Sequence, residues 1–338
     1  MTTTAPALAP PVHVVCATDD GFALPTAVMA ASLAAASDPG RRLALHVLDG
    51  GLSPAVAGRL DRALGHTAAQ AAARGVTLDV HRVAPDLSAI AGLGGNSRIT
   101  ATAYLRLLAP DILGDVGRAV WFDGDVLVFR DPGALLDVSL RDPTGRPSPA
   151  AAAPNTGSPV GRGRRSYAER GLDPFLPYNN SGVMVMDFSR WRAEQLGQAV
   201  IAELREYGHL YKTVDQCGLN AVLSAAAGGS RWAPLPGEWN VQAGSHVTRA
   251  APPAVSVIAA LHFTTGRKPW SHKYLTRSGQ GPTFAIYQAE WFRAAQWSGW
   301  FSEAEWARWR IQLATRRVWA KGHQTLSQVR SAFYRRKK

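Results

Sequence analysis

The chain has 338 residues, 46% hydrophobic and 18% charged, which is enough to bury the core of one large α/β domain with extensions, or of two domains. Its two cysteines, Cys16 and Cys217, exclude a disulfide framework and a thiolate zinc site, and they point to a reducing compartment. The net charge of +12 is uneven: eight Lys/Arg and no acid fall between Arg316 and Lys338, leaving +4 on the rest, a body suited to an anionic substrate and a tail suited to an anionic surface.

Residues 1–11 lack the basic and apolar regions of a signal peptide and are expected to be disordered. From there strand and helix alternate. His13 to Ala17 is a β-branched run, Pro25 to Ser37 a helix with proline in its first turn, and Leu43 to Leu48 a second strand. Ser53 to Arg74 is a helix and Val76 to Val83 a third strand. This alternation predicts βαβ units and a parallel sheet, with ligands beyond the carboxyl ends of the strands. Acids stand at those ends: Asp19 and Asp20 after the first strand, Asp49 after the second. Neither the Gly92 to Gly95 cluster nor Gly161-x-Gly163 follows a convincing strand, so neither supports a dinucleotide fingerprint.

The stretch Arg118 to Phe129, with Asp123-Gly124-Asp125 in its middle, reads as one buried strand, because its flanks are apolar on both sides. Unpaired buried carboxylates cost several kcal/mol each. In extended chain residues two apart share a side, so both carboxylates converge on one point, and Gly124 leaves the other side open. All-oxygen donors there suit a hard cation, Mg²⁺ or Mn²⁺. The competing reading is a turn between two strands, since Asp-Gly is a common turn pair.

Asp142 to Arg170, rich in proline, glycine and arginine, reads as an irregular insertion in which Ala150 to Ala153 is a candidate short strand. Tyr178 to Gly182 is then a turn and Val183 to Met186 a strand. Ser189 to Tyr207 and Thr213 to Ala225 have helical character, and Val255 to Phe263 is the last strong strand. Six of the eleven tryptophans lie from Trp291 onward in helix-compatible sequence, and no window holds the ~18 apolar residues of a membrane span.

Taken together, Asp123-Gly124-Asp125, Asn180-Ser181-Gly182 and the run Leu261 to Trp270 resemble the family 8 retaining glycosyltransferases, which include glycogenin and the lipopolysaccharide galactosyl- and glucosyltransferases. The resemblance covers roughly residues 12 to 275. It implies an α/β fold, one A-type nucleotide-sugar-binding domain over 12–285 with a mixed, mainly parallel sheet; beyond it, the tryptophans and basic residues of 286–338 predict a helical extension. The resemblance also implies a UDP-galactose or UDP-glucose donor and Mn²⁺, with Mg²⁺ as the alternative.

By position, the resemblance assigns the metal to Asp123, Asp125 and His262. Imidazole among the donors favours Mn²⁺. Donor contacts fall to Ala17, Asp19, Phe22, Arg106, Gly124, Asn180, Gly266 and Lys268. Asp19 would accept the uracil N3 proton, Phe22 would stack, and Lys268 would meet the diphosphate. Asp215 would bind sugar hydroxyls and Gln216 would lie beside the anomeric carbon. The sequence departs from the family pattern at Gly21, at Cys217 in place of a second acid, and at Thr265, where the phosphate-loop glycine usually stands.

Gln216 is a poor nucleophile, so the expected reaction is same-face attack by an acceptor hydroxyl with the departing phosphate oxygen as base. The acceptor is expected to be a glycan or lipid-linked hydroxyl. The alternative is a catalytically inactive UDP-sugar or carbohydrate-binding protein of the same fold. Despite the high pI no nucleic-acid motif is present, and no nucleic-acid partner is expected. Trp319, Leu326, Val329 and Phe333 form one helical stripe amid the terminal basic residues. This predicts reversible contact with anionic membrane, and a cytoplasmic protein peripheral to the inner face of the cell membrane; the competing reading is a docked C-terminal helix with a solvated basic end.

Overall fold

The computed structural model describes residues 10–93, 101–156, 165–211, 213–225, 229–243, 253–264, 268–270 and 282–312. Gly266, the Gly161-x-Gly163 pair and the whole basic run from Arg316 lie outside them.

Strands β1 (Val12–Thr18), β2 (Arg42–Asp49), β3 (Thr77–Val83) and β4 (Arg118–Phe122) pair in parallel in the order β3-β2-β1-β4. On the far side of β4 the large sheet continues with β7 (Asn179–Asp187), β6 (Ala150–Pro154) and β8 (Trp232–Pro234). Here β4–β7 and β6–β7 are antiparallel and β6–β8 is parallel. The sheet is mixed and mainly parallel, as expected.

Alternation along β1 explains the layering. Val12, Val14 and Cys16 join one core with helices α1 (Ala23–Ala36) and α2 (Pro54–Ala72), while Val15 and Ala17 join the other with α3 (Leu105–Ile112). In α2 the buried Leu60, Ala63, Leu64, Thr67 and Ala71 recur at helical spacing and seat one face on the sheet. Helix α1 is apolar almost all round, because it is packed between the large sheet, α2, β5 (Val126–Val128) and α7 (Pro282–Trp297).

A second sheet, in the order β5-β10-β9, is built from β5, β10 (Ala260–His262) and β9 (Val241–Gln242). Its core holds Val28, Leu127, Leu261 and Phe263 together with Tyr287 and Trp291 of α7. The expected domain boundary at residues 285 and 286 thus falls within α7. Phe22, Trp270, Trp291 and Trp309 form a chain of ring contacts 5.3 to 6.2 Å apart. No helix among the described residues is long and apolar enough to cross a membrane.

Four local expectations are corrected. The apolar run Arg118 to Phe129 is not one strand: β4 and β5 belong to different sheets, and Asp123-Gly124-Asp125 turns between them, with Val126 N–H donating to Asp123 O at 3.1 Å. Asn180-Ser181-Gly182 lies inside β7 and is not a turn, since Gly182 O accepts from Asp123 N and Asn179 pairs with Pro154. Only residues 260–262 of Val255 to Phe263 are strand, because the partners β5 and β9 are themselves two or three residues long. Ser189 to Tyr207 divides into α4 (Phe188–Ala193) and α5 (Leu196–Tyr207) at Gln195, whose φ is 51°.

Three imidazoles stack across the parallel strands β1 to β3. The ring centroids of His13 and His46 are 5.4 Å apart and those of His46 and His81 5.2 Å apart. Burial, and then the two neighbouring histidines, lower the pKa of His46 to about 4. Unfolded chain takes up this proton near pH 6.5, so stability is full above that value and falls as pH drops toward 4, by about 1–3 kcal/mol. Urea unfolding of His46→Gln should show a flatter pH dependence between 7 and 4.5 than the parent. An unchanged slope would remove His46 as the cause.

Candidate active site at the junction of the two sheets

The turn after β4 and the end of β10 bring two carboxylates and one imidazole together. The ligand atoms of Asp123, Asp125 and His262 lie within 4.8 Å of one another. His262 Nε2 is 3.1 Å from Asp125 Oδ1 and 3.7 Å from Asp123 Oδ2.

In each carboxylate one oxygen is held by the protein and the other faces the imidazole. Asp123 Oδ1 accepts from Arg106 Nη2 at 2.9 Å and from Trp121 Nε1 at 2.8 Å. Asp125 Oδ2 accepts from Lys268 Nζ, which also donates to Phe263 O. Burial pushes the Asp125 carboxyl up, but its neighbours, the Lys268 ammonium first among them, outweigh it and hold the group well below the usual carboxylate range. Asp125 Oδ1 is buried and, apart from its 3.1 Å approach to His262 Nε2, has no hydrogen-bond partner among the described residues.

Arg106 enters from the first turn of α3 and is 4% exposed. Besides Asp123 it binds Asp215, with Nε 3.0 Å from Oδ2, and donates to Ser181 O. Its guanidinium lies 5.0 Å over the Trp121 ring. Asp215, in the first turn of α6 (Val214–Ser224), has its carboxyl raised to about 6, mainly by burial; Arg106 opposes the shift and Asp123 adds to it.

Gln216, one residue on, is fastened by its carbonyl oxygen to Asn180 Nδ2 and to Ser181 N–H, both at 3.2 Å. Asn180 sits at the centre of a web of amides: Nδ2 also donates to Asn155 Oδ1 at 2.9 Å, and Oδ1 accepts from Asn240 Nδ2 at 2.8 Å. Cys217 is turned the other way, 3.1 Å from both Tyr178 Oη and Thr213 Oγ1.

At the first strand, Ala17 is buried near the end of β1. Asp19 Oδ1 accepts from the N–H groups of Gly21 and Phe22, and Oδ2 accepts from Thr102 Oγ1 at 2.9 Å. The expectation that Gly124 leaves open space is corrected: a Cβ there would lie 2.7 Å from Thr26 Oγ1 and 3.5 Å from Phe22, so the glycine admits the start of α1. This contact joins the turn bearing Asp19 and Phe22 to the carboxylate cluster. Asp20 and Asp49 are structural: Asp20 accepts from Ser53 N–H, and Asp49 from Gly51 and Leu52 while pairing with Arg82.

Sequence reasoning did not find Asn155, Asn240 or Trp121 as members of the site. The first two stand in aperiodic segments. Trp121 looks like core, and it is core except for the indole N–H on Asp123.

A mixed sheet with an Asp-x-Asp turn at the carboxyl end of its fourth strand, opposed by a histidine from a second sheet, defines a glycosyltransferase of the A-type fold. The chain belongs to glycosyl transferase family 8, whose sequence model matches residues 13–273. It is 28% identical over 273 residues to General stress protein A of Bacillus subtilis, covering 77% of this chain and 87% of that protein. Lipopolysaccharide 1,2-glucosyltransferase of Escherichia coli is 27% identical over 182 residues, 51% of this chain and 49% of its own length. Among solved structures, the galactosyltransferase LgtC in complex with donor and acceptor sugar analogues superposes with a TM-score of 0.63 at 21% identity, covering 86% of this chain and all of that one.

Proposed function

We propose that this glycosyltransferase moves galactose or glucose from a UDP-sugar to a hydroxyl of a glycan or lipid-linked acceptor, with Mn²⁺ and with retention at the anomeric carbon. The observation that carries the reading is the mutual approach of Asp123 Oδ2, Asp125 Oδ1 and His262 Nε2. Lone pairs meeting at such distances repel unless a proton or a cation lies among them; the carbonyl oxygens of Asn180 and Asn240 draw the ring proton of His262 to Nδ1, which leaves Nε2 and the buried Asp125 Oδ1 with the character of ligand atoms. Two carboxylates and an imidazole suit Mn²⁺ better than Mg²⁺. Bound there, the cation would supply Lewis-acid stabilisation of charge on the departing diphosphate.

The protein's own groups do the rest. Lys268, a flexible point charge already against Asp125, binds the diphosphate, and the resemblance assigns Gly266, outside the described residues, to the same group. Ala17, Asp19 and Phe22 hold the uridine at the carboxyl end of β1. Arg106 neutralises Asp123 and Asp215, so that three carboxylates coexist in one site. Asp215 and Asn180 meet the sugar hydroxyls. Gln216 has its carbonyl oxygen committed to Asn180 and Ser181, and a carboxamide is a weak nucleophile, so it positions the reacting sugar. The acceptor oxygen therefore bonds to the anomeric carbon on the face that the phosphate oxygen leaves, and its proton passes to that phosphate oxygen.

A Mn²⁺-dependent hydrolysis and transfer screen over UDP-sugars tests the reading, and full turnover in excess EDTA would overturn it. In the same assay Gln216→Ala should lower kcat by roughly one to three decades without abolishing it. A covalent glycosyl adduct trapped on an Asp or Glu of the parent enzyme would establish double displacement instead. The basic run 316–338 would hold the enzyme to the anionic inner face of the membrane. A chain ending at Thr315 should keep UDP-sugar hydrolysis and lose salt-sensitive co-sedimentation with anionic vesicles. Equal vesicle binding by both chains would refute that placement.

A further inference from the structure

Asn240 closes the helical turn Gly237–Asn240 and leads into β9, whose parallel pairing sets Gln242 opposite His262. Its side chain is 3% exposed and meets His262 on the side away from the carboxylates: Oδ1 lies 3.2 Å from Nδ1 of the ring. Asn180 Oδ1 approaches the same nitrogen at 3.1 Å.

The hydrogen-bond network fixes which amide atoms these are. The backbone N–H of Gly182 donates to Asn180 at 3.0 Å and can do nothing else, so the Asn180 atom turned toward it is the oxygen. Asn240 meets that oxygen at 2.8 Å and must therefore present its nitrogen, which leaves its own oxygen for the imidazole. Nδ1 of His262 thus faces two carbonyl oxygens, and in the neutral ring the proton sits there. The lone pair of Nε2 is left pointing at Asp125 Oδ1 and Asp123 Oδ2.

We propose that Asn240 is a positioning residue that, with Asn180, locks His262 in the Nδ1–H tautomer and so keeps Nε2 open to a divalent cation. The consequence for metal rests on the function proposed above; the tautomer does not. An acceptor on the far ring nitrogen raises the basicity of the ligating one and stops the ring from turning, and loss of such partners typically costs 10- to 100-fold in metal affinity.

The test uses the full-length chain labelled with ¹⁵N-histidine, with His262→Gln assigning the signal of that ring. At pH 8 without metal, the parent should show His262 protonated at Nδ1 and bare at Nε2. Asn240→Ala should show a mixture of tautomers, and its Kd for Mn²⁺, read from the electron paramagnetic resonance of the free ion, should rise 10- to 100-fold. A purely structural asparagine would lower the melting temperature and leave both readouts alone, which would overturn the proposal. A parent ring protonated at Nε2 would overturn it without any variant, so failure of Asn240→Ala to fold does not shelter it. A parent with the Nδ1–H tautomer but no Mn²⁺ binding would uphold the positioning role and sink the metal reading.

Discussion

Gly182→Ala is expected to abolish turnover, by about three decades or more, and to weaken Mn²⁺ binding at least 100-fold, while the protein stays folded. A Cβ at this position would lie 2.0 Å from His262 Cε1 and 2.5 Å from Nδ1, inside the ring's van der Waals envelope. The backbone cannot give way: β7 runs between β4 and β6, and Gly182 O accepts from Asp123 N–H at 2.8 Å. The imidazole must yield instead, leaving the carboxylates and both asparagines. Overpacking of this kind costs about 1–3 kcal/mol in stability, so the loss of activity should far exceed the loss of fold. Asp125→Asn gives the benchmark, because it removes a charge and keeps the shape. Turnover by Gly182→Ala within tenfold of the parent would show that His262 is not needed where it stands.

Arg106→Leu should have the largest effect on stability, about 3–5 kcal/mol at neutral pH, and should also silence the enzyme. Removing one member of a buried ion cluster leaves the others uncompensated, and here the others are Asp123 and Asp215. The pH dependence identifies the cause. The Asp215 carboxyl already titrates near 6, above its unfolded value of 3.8, so protonation favours the folded state, and this contribution is lost as pH rises through 6. Without Arg106 the carboxyl should rise further. The deficit of the variant against the parent, measured by urea unfolding, should therefore shrink between pH 7.5 and pH 5. A deficit below 1 kcal/mol, or one that grows on acidification, would contradict the role given to Arg106.

Much of the chain was legible because local signals and tertiary context agreed. The first three strands, α1 and α2 fall within a residue or two of their expected places, since each buries a periodic apolar set on a continuous sheet. Reading failed where partners decide. Arg118 to Phe129 is apolar on both flanks of its Asp-Gly-Asp, and nothing in those flanks tells that Val126 pairs with β10 whereas Phe122 pairs with β7. Val255 to Val257 has strand composition but forms a 3₁₀ turn, with no partner strand among the described residues. In the site, Asp123 and Asp125 were read from burial and spacing and His262 from the resemblance, and the three do converge. Asn155 and Asn240 were not found, because an asparagine in an irregular segment looks the same whether it faces water or the back of a histidine. The resemblance assigned Asn180 to the donor sugar, but nothing local told that its carbonyl oxygen also meets Gly182, Asn240 and His262.

The division of the cluster between two sheets governs when it comes into being as the chain folds. Asp123 and Asp125 are supplied where β4 passes into β5, but His262 arrives on β10, and its supporting asparagine on the segment before β9, more than a hundred residues later. Closing a loop of that length carries an entropic cost that local structure cannot repay, so the β1–β4 half of the large sheet can assemble first with its carboxylates still exposed to solvent. The small sheet, with two- and three-residue strands, gains little by itself and depends on α1 and α7 to hold it. A cation shared by the turn and β10 would then fasten together the two parts of the molecule that meet last, and its saturation at a hundred times Kd would add about 2.7 kcal/mol to that closure.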